Sequence, residues 1–253
     1  MIKGIESFRK WFSGYESQYT IIGGTACDLL MSKEGLDFRA TKDIDLVLII
    51  ESINADFGKR FWEYINTAGY EHRSKGTGNI QFYRFSKPSS IDCPGMIELF
   101  SKKPDAIQLP EDAVLSPIPI EENISSLSAI LLNDDYYNFL KAGRINVDGI
   151  TILSAEYLIP FKAKAFLELS ERKEKGEQID SKDIRKHKND IFRLSELLNS
   201  KNTIFTEIPE TIKSDMQAFC SKMIPEKIDL KQIGIFSKTK NSILEDLLKI
   251  YLK

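Results

Sequence analysis

Three acidic residues and a pair of glycines carry the chemistry this sequence offers. Asp43 and Asp45 stand two apart in DIDLVL. Side chains on a strand alternate between faces, so both carboxylates point one way while Ile44, Leu46 and Leu48 turn to the core. Like charges held this close raise one another's pKa and oppose folding unless a cation lies between them. Magnesium suits that place: it prefers oxygen ligands, keeps several waters, and is shared between one or two carboxylates and substrate phosphates. Upstream, in IIGGTACDLL, Gly23 and Gly24 let backbone approach a phosphate closely. The helix that follows offers unpaired N–H groups and its positive end to the same anion, and Thr25 adds a hydroxyl donor. A second metal, roughly 4 Å from the first, would stabilise both the attacking and leaving oxygens of an in-line displacement, and it needs a third carboxylate. Glu98 is the candidate: it stands among Met96, Ile97, Leu99 and Phe100, where an unpaired charge is costly. Asp92, in a turn, is the alternative.

These groups need a strand, a glycine turn, a helix and a second strand to hold them. YTIIGG reads as a short buried strand, and TACDLLM places Ala26, Leu29 and Leu30 on one helical face. After SKEGLDFRATK, the aliphatic run DIDLVLII reads as a strand, and 54–68, with Phe57, Phe61, Trp62 and Ile65, as a helix. IQFYRF from Ile80 and MIELFS from Met96 are two further strands, and 5–18 mixes charges and aromatics at helical spacing. The GTG at 76–78, near Arg73 and Lys75, reads as a turn before a strand. Singly, a Gly-Gly is a turn and a D-x-D an exposed strand end; their order within one α/β segment is what gives them weight.

Pro104, Pro110, Pro117 and Pro119 crowd a stretch of little periodicity, which marks a linker or a winding surface connection. Beyond it, INV-DG-ITIL predicts a hairpin whose Asp148-Gly149 pair suits a type I′ turn. Helices are expected near 154–174, 181–199, 208–222 and 241–251. The chain is therefore expected to divide into a domain at 1–117 and a mainly helical one at 118–253.

The chain has 253 residues, 42% of them apolar and 28% charged, which fits a folded protein of two modest domains and excludes a disordered or fibrous one. A formal net charge of -2 excludes a global positive field, so a nucleic-acid partner would need a local basic patch. The lysines of the tail (Lys222, Lys227, Lys231, Lys238, Lys240) could supply one, or simply a solvated face. Cys27, Cys93 and Cys220 are far apart and lack C-x-x-C spacing, which argues against disulfides and structural zinc. MIKGIESFRKWF has no apolar core of signal-peptide length and the apolar run at 46–50 is too short to span a bilayer, so a cytoplasmic chain with no membrane partner is expected.

With IIGGTACDLL and RATKDIDLVL in place, the sequence resembles the DNA polymerase β-type nucleotidyltransferase superfamily, whose signature is Gly-Gly or Gly-Ser, then D-x-D/E, then a later acid. The wording GGTA, with Arg39 and Thr41 just before DID, is similar to the AbiEii/AbiGii toxin family. That resemblance implies an α+β chain: a polymerase β-like domain with a mixed sheet flanked by helices, followed by a mainly helical domain. It implies transfer of NMP from an NTP to an acceptor hydroxyl, two Mg2+ ions on Asp43, Asp45 and Glu98, an RNA acceptor such as tRNA, and a cognate antitoxin. EYLIPFKAKAF and HKNDIFRL stand where the family carries a K-x-x-A run and an R-D-x-x-D-like helix, which makes Lys162 and Asp190 the matching positions. The match departs from the family in the long gap between Gly24 and Asp43, and in Arg193, which replaces the last motif's second acid.

Helical geometry places Lys162 in the stripe of Leu158, Ala165, Phe166 and Leu169, so its ammonium needs a partner. Either it reaches the nucleotide's phosphates or its stem snorkels over the core. Asp190, flanking the stripe of the next helix, could orient it. Pro160 predicts that the first of these helices starts late or kinks. His187, on an apolar face, reads as a core histidine. The competing reading of the whole chain is a nucleotide-binding or partner-docking module of the same fold without turnover.

Overall fold

The computed structural model describes residues 3–71, 84–100, 133–198, 205 and 207–252. In chain order they form α1 (Ile5–Trp11), β1 (Tyr19–Ile22), α2 (Gly23–Lys33), β2 (Asp43–Leu48), α3 (Ala55–Ala68), β3 (Arg84–Ser86), β4 (Met96–Phe100), α4 (Asp134–Ala142), β5 (Arg144–Val147), β6 (Ile150–Leu153), α5 (Ala155–Glu174), α6 (Ser181–Leu194), α7 (Glu210–Met223) and α8 (Lys240–Tyr251). The fold is α+β, a mixed sheet with helices followed by a mainly helical part. The six strands run in the order β3-β4-β2-β1-β6-β5. β2 lies antiparallel to β1 and parallel to β4; β6 is parallel to β1 and antiparallel to β5; β3 is antiparallel to β4.

The chain separates into two compact units, the first drawn from Met1–Leu29, Arg39–Ile124 and Arg144–Leu153, the second from Leu30–Phe38, Ser125–Gly143 and Ser154–Lys253. The boundary expected at 117/118 falls outside the described residues. The hairpin, expected in the C-terminal domain, instead completes the sheet of the first unit. All four residues of β6 are buried, as are all four of β1. Strands with no polar face need cover and hydrogen-bond partners on both sides, and lying side by side meets part of that need. Asp148 and Gly149 both have positive φ, 49° and 80°, as the I′ turn requires.

In the first unit, Phe8, Phe12, Tyr19, Phe57, Phe61 and Tyr64 form a buried aromatic cluster against the sheet. It joins α1 and α3 to β1. Asn54 caps α3 by accepting from the N–H of Phe57, and Gly69 ends it in the left-handed conformation, so this helix has both a start and a stop signal.

The second unit is built on α5. The helix starts at Ala155 and runs through Pro160 to Glu174, earlier and longer than the proline suggested. Proline has no N–H for the carbonyl four residues back, here that of Glu156. Tyr251, fully buried at the end of α8, donates its hydroxyl to that carbonyl. Tyr251→Phe should therefore cost about 1–3 kcal/mol, the range for a buried acceptor left without its donor. Urea unfolding is the check, and a change within error would show that another group serves Glu156. The α4 helix went unrecognised in the sequence, although Asn133 caps it and acids fill its first turn.

Candidate active site

The sheet register assembles the acidic residues. Asp45 on β2 lies directly beside Glu98 on β4, and Asp43 beside Met96. Residues in one lateral row share a face, and neighbouring strands lie about 4.8 Å apart, so Asp43, Asp45 and Glu98 stand on the same face. All three are partly exposed. Asp92, the alternative, is exposed in the turn before β4.

The glycines close one side of this group. Gly23 is the first residue of α2, with φ of 70°, so the chain turns from β1 straight into the helix without a loop. A Cβ built on Gly23 would lie 1.7 Å from Asp45 Oδ2, and one on Gly24 would lie 2.8 Å from Thr41 Oγ1 and 3.2 Å from the Arg39 guanidinium. The glycines therefore admit this chain's own Asp45, Thr41 and Arg39 to the helix start. Gly23→Ala is doubly excluded, by φ and by overlap, and should cost roughly 2–4 kcal/mol. A thermal melt of the variant checks this; an unshifted melt would mean that Asp45 moves aside freely.

Thr25 differs from its expected role. It is fully buried and donates its hydroxyl to the Asp43 carbonyl at 2.6 Å. A hydroxyl has one proton to give, so Thr25 locks the helix start to the start of β2 and does not offer that proton to a phosphate. One turn along α2, half-buried Asp28 has its carboxyl pKa raised by burial, an effect Arg39 opposes.

Glu98 is also placed differently from the electrostatic expectation. Arg84, directly opposite it on β3, donates from Nε to Glu98 Oε1 at 2.7 Å, with a terminal nitrogen 2.5 Å from the same oxygen. In this arrangement the Arg84 guanidinium neutralises the third acid. Among the described residues no group of three or more His, Cys, Asp or Glu side chains is gathered to hold a metal ion. The donor set still suits a hard divalent cation, since the Asp43–Asp45 pair supplies carboxylate oxygens on one face. Arg84 was missed because its importance depends on the β3–β4 register.

Lys162 and Asp190 lie in the second unit and meet: Lys162 Nζ is 3.0 Å from Asp190 Oδ2, with the side chains 4% and 0% exposed. Arg193, the departure from the acidic motif, reaches Asp190 Oδ1 at 3.6 Å and lies over the ring of Phe38. The buried pair therefore joins α5 to α6, and Asp190 is placed to orient Lys162, as the sequence allowed. His187 is half-buried on α6.

No family model matches this chain, and no curated protein does. Among solved structures it is similar to the crystal structure of the Megavirus polyadenylate synthase, with 12% identity and a TM-score of 0.38, over 87% of this chain and 37% of that one. The chain thus spans little more than a third of that protein, and a likeness so slight assigns no activity. Among the described residues, no helix is long and apolar enough to cross a membrane.

Proposed function

We propose that the chain is a nucleotidyltransferase with a polymerase β-like sheet, moving NMP from an NTP to an acceptor hydroxyl. The observation that carries this reading is the row in which Asp45 and Glu98 are neighbours, with Asp43 on the same face and Gly23 packed against the Asp45 carboxylate. Asp43 and Asp45 would hold Mg2+, which when bound supplies charge neutralisation at the phosphates. The start of α2 would offer backbone N–H groups to the phosphates. The acceptor oxygen bonds to the α-phosphorus, the bond to the bridging oxygen breaks, and pyrophosphate leaves with that electron pair. Glu98, once clear of Arg84, takes the acceptor's proton. Most of the rate would come from positioning and charge, as is general in phosphoryl transfer.

The motif resemblance extends the proposal to an RNA acceptor such as tRNA and to a toxin held in check by a cognate antitoxin. Lys162 would then hold phosphates, a role its pairing with Asp190 does not favour. One observation favours the alternative, a nucleotide-binding module without turnover: Arg84 already neutralises Glu98. Incubation with each α-labelled NTP, Mg2+ and total cell RNA or lysate separates the two. Labelled acceptor, lost on chelation, supports the transferase. No label from any NTP, together with triphosphate binding indifferent to Mg2+ by calorimetry, would establish the module.

A further inference from the structure

One lateral row of the sheet reads Ile22, Asp45, Glu98, Arg84, each in direct register with the next. Both contacts from Arg84 fall on Glu98 Oε1 and neither on Oε2. The arginine side chain is 43% exposed and the glutamate 13%, so the cation sits on the open side of the acid, on the strand at the end of the sheet. A guanidinium keeps its charge at any working pH and presents a planar fork that fits carboxylate and phosphate alike. The guanidinium, 43% exposed, is screened by water on its open side, and a polyanion arriving at that side competes with Glu98 for it.

We propose that Arg84 is a displaceable counter-cation. In the nucleotide-free protein it occupies Glu98. A triphosphate draws it away and thereby frees Glu98 beside Asp45. Arg84 is thus a positioning residue that acts through Glu98, and the inference rests on the transferase reading above. It couples nucleotide arrival to completion of the acidic site, and Glu98 is charge-compensated until then.

The test uses Mn2+ as the metal probe on nucleotide-free protein, followed by electron paramagnetic resonance. Arg84→Gln should bind Mn2+ about tenfold more tightly than the natural chain, the scale on which neighbours of metal ligands act. Adding Glu98→Gln should remove the gain. In label transfer, Arg84→Gln should raise KM for the NTP more than it lowers kcat. Arginine serving the fold alone predicts no gain in affinity, so unchanged or weaker Mn2+ binding by folded Arg84→Gln overturns the proposal even if the natural protein transfers label. A gain in affinity with no transfer by the natural protein would keep the counter-cation and remove the transferase reading. Should Arg84→Gln fail to fold, Arg84→Met, which keeps an unbranched stem but removes the charge, decides: tighter Mn2+ binding supports the proposal and unchanged binding overturns it.

Discussion

Asp45→Asn is expected to abolish label transfer, lowering it by at least about a hundredfold, the scale on which single electrostatic groups act in active sites. The substitution changes charge and one atom, not shape. The close fit of Asp45 against Gly23 is therefore kept, as are the hydrogen bonds of β2 to β1 and β4. Asp43→Asn should behave in the same way, because Thr25 holds the Asp43 backbone carbonyl and not its side chain. Asparagine keeps the shape of the side chain and one accepting oxygen, so the melting temperature should change little. The joint measurement is label transfer and a thermal melt on the same preparations. Transfer undiminished in both variants would remove the proposed site, whereas lost transfer with a lowered melt would point to the fold.

The second large effect concerns stability. Asp190 is fully buried and faces two cations, Lys162 at 3.0 Å and Arg193 at 3.6 Å. Removing one partner of a buried pair leaves a charge without compensation, and about 3–5 kcal/mol is the usual cost. Asp190→Ala should show that loss, a large part of the stability of most domains. Lys162→Met should cost less, since methionine keeps the apolar stem and Arg193 still faces the carboxylate. Urea unfolding of both variants checks the order. Equal or reversed losses would show that the pair does not clamp α5 to α6. A folded, fully stable Lys162→Met with a raised KM for NTP would return Lys162 to the phosphates.

The sequence by itself determined the local elements and the kinds of group they carry. YTII ahead of Gly23-Gly24, the alternation in DIDLVL, the start and stop of α3 and the Asp148-Gly149 turn are legible because each depends on residues a few positions apart. It also singled out Glu98, a charge misplaced in an apolar strand. The tertiary structure decided what each group faces. That Arg84 and Asp45 flank Glu98, that Thr25 donates to Asp43, that β6 joins β1, and that Tyr251 serves the carbonyl Pro160 cannot, all join residues distant in sequence. Strand register and long-range hydrogen bonds are set by burial and pairing across the whole unit, and no short window of sequence contains both partners.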